Sequence, residues 1–99
     1  MPYEVKISPR AGAQIRRASK WWAENRPAAP DAVRLDIRKA SSILALQPRI
    51  GVLMRQTKTR GVRRVHLGRI RYYLYYRFEA EVVEVLAIWH SSRESSPSL

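Results

Sequence analysis

The sequence predicts an α+β domain of order β-α-α-β-β-β, with a helical hairpin packed on one face of a small antiparallel sheet. Three observations carry this. Residues 60–94 read RGVRRVHLGRIRYYLYYRFEAEVVEVLAIWHSSRE, three runs rich in β-branched and aromatic residues with short turns between them. Two stretches before it carry apolar residues at helical spacing, on either side of the break Asn25-Arg26-Pro27-Ala28-Ala29-Pro30. Tyr3, Val5 and Ile7 alternate with Glu4, Lys6 and Ser8, so the chain opens as a strand with one apolar face, placed at the sheet's edge.

Ser8-Pro9 is a good helix start, because the serine can cap free amides and proline suits the first helical position. The helix runs to about Asn25, with Ala11, Ile15, Ala18 and Trp22 inward and Arg10, Arg16, Arg17 and Lys20 outward. Trp21 and Trp22 cannot share one narrow stripe, so Trp21 falls on the hairpin's flank, as packing or as a partner contact. Asp31 opens the second helix, whose stripe is Val33, Ile37, Ala40 and Leu44, with Ile43 and Leu46 as further candidates, ending at Gln47 before Pro48. Gln47 to Lys58 is irregular, and Ile50 to Met54 returns the chain to the sheet.

Gly68-Arg69 suits a two-residue turn that puts Leu67 opposite Ile70 and His66 opposite Arg71. Alternation then sends Val65, Leu67, Ile70, Tyr72, Leu74, Tyr76 and Phe78 to a buried face. Arg64, His66, Arg71, Tyr73, Tyr75 and Arg77 share the other face, which is expected to meet solvent or a ligand. The next turn falls at Glu79-Ala80 or over Phe78 to Glu81; an even loop is required, since an odd one would bury Glu84. Val83, Val85, Ala87 and Trp89 then join the apolar face, while Glu84, Leu86, Ile88 and His90 join the basic one, with His90 near Arg71.

Residues 1–94 form one domain and 95–99 a flexible polar tail. A formal charge of +11 on 99 residues implies an anionic partner: nucleic acid, a nucleoprotein machine or an acidic protein. No cysteine is present, which excludes disulfides and thiolate metal sites, and two histidines without a third ligand make a poor zinc site. No metal or cofactor is expected. The apolar run Val85 to Trp89 is too short to span a bilayer and no signal-like segment opens the chain, so a cytoplasmic protein is expected.

Arg64, His66, Arg71, His90 and Arg93 could grip phosphates and move a proton, as a metal-independent ribonuclease requires. The bland alternative pairs these arginines with Glu84 and Glu94 and packs His90 on the sheet. Among Tyr72, Tyr73, Tyr75 and Tyr76, half must face the core and half could stack on bases.

The runs RGVRR, RIRYYLYYR and VEVLAIWHSSRE, together with ISPRAGAQIRRASKWWAENRP and LQPRIG, resemble toxins of the RelE/ParE superfamily of bacterial toxin–antitoxin modules. The resemblance covers residues 3 to 94, and WW-x-x-NRP, P-x-IG, RGVRR and WH-x-x-R together are far more specific than any one of them. It implies the same fold and an acidic cognate antitoxin as partner. In the RelE-like branch, basic residues on the sheet and a late arginine cut ribosome-bound messenger RNA, with a tyrosine close behind that arginine. Arg64, His66, Arg71 and Arg93 occupy similar places, but Glu94-Ser95-Ser96-Pro97-Ser98-Leu99 contains no tyrosine. The helical hairpin and WH-x-x-R look closest to the ParE-like branch, which implies a non-enzymatic poison of DNA gyrase. Its contacts are expected at Trp21, Leu86, Ile88, His90 and Arg93. The alternatives are a ribosome-dependent endoribonuclease and a non-toxic basic nucleic-acid-binding module.

Overall fold

Ser8 ends a strand and starts a helix. In the computed structural model, which describes residues 1–99, its N–H still donates to the Val85 carbonyl at 3.0 Å, as the last rung beside the opening strand β1 (Glu4–Ile7). Its Oγ accepts from Ala11 N at 3.1 Å, capping α1 (Pro9–Asn25), and donates to the Leu86 carbonyl at 3.2 Å. Ala11 and Ala18 are buried and Ile15 and Trp22 pack beside them, so the inward face of α1 follows the sequence. In α2 (Ala32–Leu46), Val33, Ile37, Ala40 and Leu44 are buried, whereas Ile43 and Leu46 stay exposed because the inward stripe is already filled. No helix is long and apolar enough to cross a membrane.

The remaining strands are β2 (Val52–Leu53), β3 (Arg63–Leu67), β4 (Tyr72–Glu79) and β5 (Val82–His90), in a five-stranded sheet ordered β1-β5-β4-β3-β2. β2 to β5 are antiparallel, while β1 runs parallel to β5, so the sheet is mixed. The helices pack on the face formed by Leu74, Tyr76, Val83 and Val85. The first hairpin differs from the two-residue expectation: Leu67 pairs with Tyr72, not Ile70, around a four-residue loop closed by Arg71 N to the Leu67 carbonyl at 2.8 Å. Arg71, not Gly68, takes the left-handed conformation, with φ of 60°. The longer loop lets Ile70 fold into the core and Arg69 form a two-pronged bond to Asp36 of α2. Its length is even, so the faces of β4 are as expected.

The second hairpin turns at Ala80-Glu81, one residue later than Glu79-Ala80 and again even. Beyond it, β5 departs from strict alternation. Tyr76 pairs with Val85 and Tyr75 with Ala87, leaving Leu86 as a β-bulge. The expectation for the end of β5 is therefore corrected: Ile88 and His90 turn to the helix side, and Ala87 and Trp89 turn away from it. Gln14 of α1 accepts the Ile88 N–H at 2.8 Å, satisfying a donor beyond the end of β1.

The second sheet face is partly covered. Val62, Tyr75 and Ala87 form a small buried cluster, with Met54, Tyr73, Leu86, Trp89 and Leu99 against it. Residues 95–99, expected to be a free tail, lie over this cluster: Trp89 Nε1 donates to the Ser95 carbonyl at 2.8 Å, Arg10 to Ser98 at 2.7 Å and Thr59 N to Leu99 at 2.9 Å, and Pro97 is buried. The apolar residues Pro97 and Leu99 give this polar-looking segment something to bury.

The loop after α2 is held by Tyr76, whose buried hydroxyl donates to the Pro48 carbonyl at 2.7 Å and accepts from Gly51 N at 2.9 Å. A Cβ on Gly51 would sit 2.6 Å from that hydroxyl, so only glycine fits. Burial raises the Tyr76 phenol above its ordinary range, against the smaller opposing effects of the Gly51 amide and Arg63. The folded state thus holds this proton more tightly than the unfolded chain. Its contribution is present below about pH 10 and is lost as pH rises through the folded value. Tyr72 is raised in the same direction. Urea unfolding followed across alkaline pH should show stability falling with pH, less steeply in Tyr76→Phe; an unchanged slope in that variant contradicts the assignment. Ala80 and Glu81 have φ of 49° and 63°, conformations that favour glycine. Glu81→Gly should raise the unfolding free energy by about 0.5–1 kcal/mol, and a loss of stability would contradict the strained turn.

Candidate functional site

The bulge divides the candidate catalytic residues between two faces of the sheet. Arg64 and His66 project from β3 onto the second face. The Arg64 guanidinium lies 3.9 Å from the Tyr73 ring centre and donates to Tyr75 Oη at 3.2 Å, and the His66 ring lies 5.0 Å from Tyr73. His90 pairs with Tyr72 on the helix side, its ring edge-on at 5.1 Å. Arg71, expected beside Arg64 and His66, sits in the β3–β4 loop next to His90. Its carbonyl accepts from Ser91 N at 2.8 Å and Ser91 Oγ at 2.9 Å, tying the loop to the end of β5. Arg93 stacks over Trp89 at 4.1 Å, and its N–H donates to the His90 carbonyl at 3.1 Å.

Two adjoining depressions of about 510 and 290 Å³ share Trp21, Tyr72 and His90 and together form a furrow along the end of β5. Arg26 and Arg71 line one half, Arg17 and Arg93 the other, and no carboxylate lines either. His90 Nδ1 lies 2.6 Å from Ser92 Oγ and 3.2 Å from Ser92 N, contacts that orient the ring. Burial raises the Tyr72 phenol and Arg93 opposes the shift, which leaves Tyr72 a protonated donor near neutral pH. No three His, Asp or Glu side chains converge to hold a metal ion.

Of the expected partner contacts, Trp21 is 49 % exposed on the hairpin flank, and His90 and Arg93 line the furrow. Leu86 is half-buried on the second face. Ile88 is only 2 % exposed in the main core and offers no surface. An apolar surface that the sequence reading missed lies between α2 and β3. A groove of about 770 Å³ is lined by Leu35, Ile43, Ile50, Val65 and Leu67, with Lys39 and Arg69 among its polar lining. Leu35, Ile43 and Ile50 are 51, 41 and 54 % exposed, and Val52 and Leu53 extend the apolar surface along edge strand β2. Its signal was present in the sequence: Leu35, Ile43 and Leu46 form a second apolar row, offset from the stripe that is buried.

Comparison with known families matches residues 5–95 to the ParE toxin of type II toxin–antitoxin systems, parDE. Among solved structures, the chain is similar to one from a chromosomal ParDE toxin–antitoxin system of P. aeruginosa, with TM-score 0.69 and 22 % identity over 87 % of this chain and 92 % of that one. It is also similar to a chain of the RelBE2 toxin–antitoxin complex from Mycobacterium tuberculosis, with TM-score 0.63 and 25 % identity over 91 % and 99 %. No curated protein matches it significantly.

The bulge makes a measurable distinction between neighbouring residues. Ile88→Ala should cost about 2–4 kcal/mol by emptying a core site, and Leu86→Ala clearly less. Equilibrium denaturation checks this; a loss under about 0.5 kcal/mol for Ile88→Ala would place that residue on the surface instead.

Proposed function

The chain belongs to the ParE toxin family of type II toxin–antitoxin systems, and on that premise we propose that it arrests growth by docking on DNA gyrase and is neutralised by an acidic cognate antitoxin. The observation that carries the choice of target is the placement of His66 and His90 on opposite faces of the sheet. Metal-independent RNA cleavage needs a base for the 2′-hydroxyl and an acid for the leaving group, both within about 3 Å of the atoms they serve. These histidines are the residues suited to proton transfer near neutral pH, and they cannot flank one phosphate. Arg64 is engaged with Tyr73 and Tyr75, and residues 95–99 lie across part of its face.

Docking on a large enzyme needs a complementary surface and no acid–base pair. The furrow supplies aromatic walls and unpaired cations, with Trp21, His90 and Arg93 as the proposed contacts. The groove beside α2 supports the antitoxin as partner, because its apolar floor, bordered by Lys39 and by Arg69 paired to Asp36, suits the apolar face of an amphipathic segment, and the chain's net charge of +11 suits acidic residues on it. The toxin–antitoxin systems named for the similar structures agree with such a partner. This reading places the action in the cytoplasm, with the chromosome.

Inducing the toxin and comparing DNA breaks with transcript cleavage in the same cells tests the proposal. Gyrase-dependent breaks that persist in His66→Ala and are suppressed by co-expressed antitoxin are the expected result. Intact chromosomes with codon-phased cuts in translated messages, lost in a His66→Ala and His90→Ala double variant, would make the protein a ribonuclease. Harmless induction with steeply salt-dependent binding to naked nucleic acid would make it a plain binding module.

A further inference from the structure

The furrow around Tyr72 brings together two features. One is aromatic: Trp21, Tyr72 and His90 line both halves, Tyr72 and His90 edge-on at 80° to each other, with Trp22 in one half and Trp89 in the other. The other is unopposed positive charge. Arg26, Arg71 and Arg93 make no ion pair and no carboxylate lines the furrow; Arg69, which also borders its larger half, is paired to Asp36 outside it. The walls are also fixed in place. Ser92 and Tyr72 hold the His90 ring, Ser91 binds the Arg71 carbonyl twice, and Tyr72 sits in a paired strand. At about 510 Å³, the larger half lies in the roughly 300–1,000 Å³ range of small-molecule sites.

We propose that this furrow binds a nucleoside phosphate, with the base against the Trp21–Tyr72–His90 wall and the phosphate held by Arg71 with Arg26 or Arg93. Guanidinium groups match phosphate oxygens bidentately, and base–aromatic stacking tolerates any base. The Tyr72 hydroxyl adds a neutral donor. An acidic peptide would satisfy the cations but leave the aromatic wall without a planar partner, and a hydrophobic peptide would leave the arginines unpaired. The Tyr72–His90 part of the site lies on the opposite side of the sheet from Arg64 and His66. It goes beyond the proposed choice of target, and it can be tested on the purified chain without gyrase or antitoxin.

All three tryptophans line the furrow, so intrinsic fluorescence reports its occupancy. The ligands to titrate are AMP, adenosine, inorganic pyrophosphate and a four-residue single-stranded oligonucleotide. Saturable quenching by AMP is expected, with adenosine and pyrophosphate each binding about ten-fold more weakly because each uses only half the site. Arg71→Gln and Arg26→Gln, two exposed changes whose folding is checked by thermal unfolding, should each weaken AMP about ten-fold. Arg34→Gln and Arg38→Gln, on a distant face of α2, should change it less than about two-fold. Tighter binding of the oligonucleotide than of AMP would identify a strand as the source of the nucleotide, and equal binding a free nucleotide; either supports the site. Absence of saturable quenching, pyrophosphate binding as tightly as AMP, or equal weakening by the α2 variants would overturn it, the last two because they describe a diffuse cation cloud.

Discussion

One extra residue in β5 sets the arrangement of the functional surface. Without the bulge at Leu86, Ile88 and His90 would share a face with Arg64 and His66. With it, the last residues of β5 are turned over, and the main core gains Ile88 while the second face gains Ala87 and Trp89. A bulge interrupts the ladder, and its polar groups need other partners. Here they come from the other end of the chain: Ser8 donates to the Leu86 carbonyl and Gln14 accepts from Ile88 N. The start of α1 is therefore fastened to the irregular part of β5, and the second half of α1 comes to lie beside His90 and Tyr72. The furrow is a product of that fastening.

The same twist of β5 gives the two faces different characters. The helix side of its end carries Tyr72, His90 and nearby arginines that make no ion pair. The other face has Arg64 already stacked on Tyr73, and a segment holding Pro97 and Leu99 laid over Tyr75 and Ala87, while Arg93, stacked on Trp89, stands at the margin between this face and the furrow. Of the furrow's cations, Arg26 lies over Trp21 at 5.2 Å and Arg93 over Trp89 at 4.1 Å; stacking engages the guanidinium face and leaves its in-plane N–H donors for a ligand. The apolar groove beside α2 is a third, separate surface, so a macromolecular partner can occupy it without filling the furrow.

Much of this fold was legible in the sequence because its signals are periodic. Ala11, Ile15, Ala18 and Trp22 mark the inner face of α1, and Leu74, Tyr76, Val83 and Val85 mark that of the sheet. The hairpins survived errors in turn position because both loops have even length, which preserves which side chain faces which side. The bulge was not legible. Leu86-Ala87-Ile88-Trp89 is apolar throughout, so alternation carries no information at the point where the register changes. His90 and Ile88 were consequently assigned to the wrong face. The packed segment at 95–99 was hidden by its serines, although Pro97 and Leu99 carry the burial; Ile43, a candidate for the inward stripe of α2, belongs instead with Leu35 to an exposed apolar row that the filled stripe masks.

The most direct test of the account is where the two imidazole rings lie relative to the sheet. Nuclear Overhauser contacts in the isotope-labelled protein can establish this. The account predicts contacts from His90 to Tyr72 and Trp21, from His66 to Tyr73, and from Trp89 to Tyr73, with none between the two histidines. Contacts from His90 to Tyr73 or His66 would put both rings on one face, abolish the bulge, and restore the acid–base pair that a ribonuclease needs.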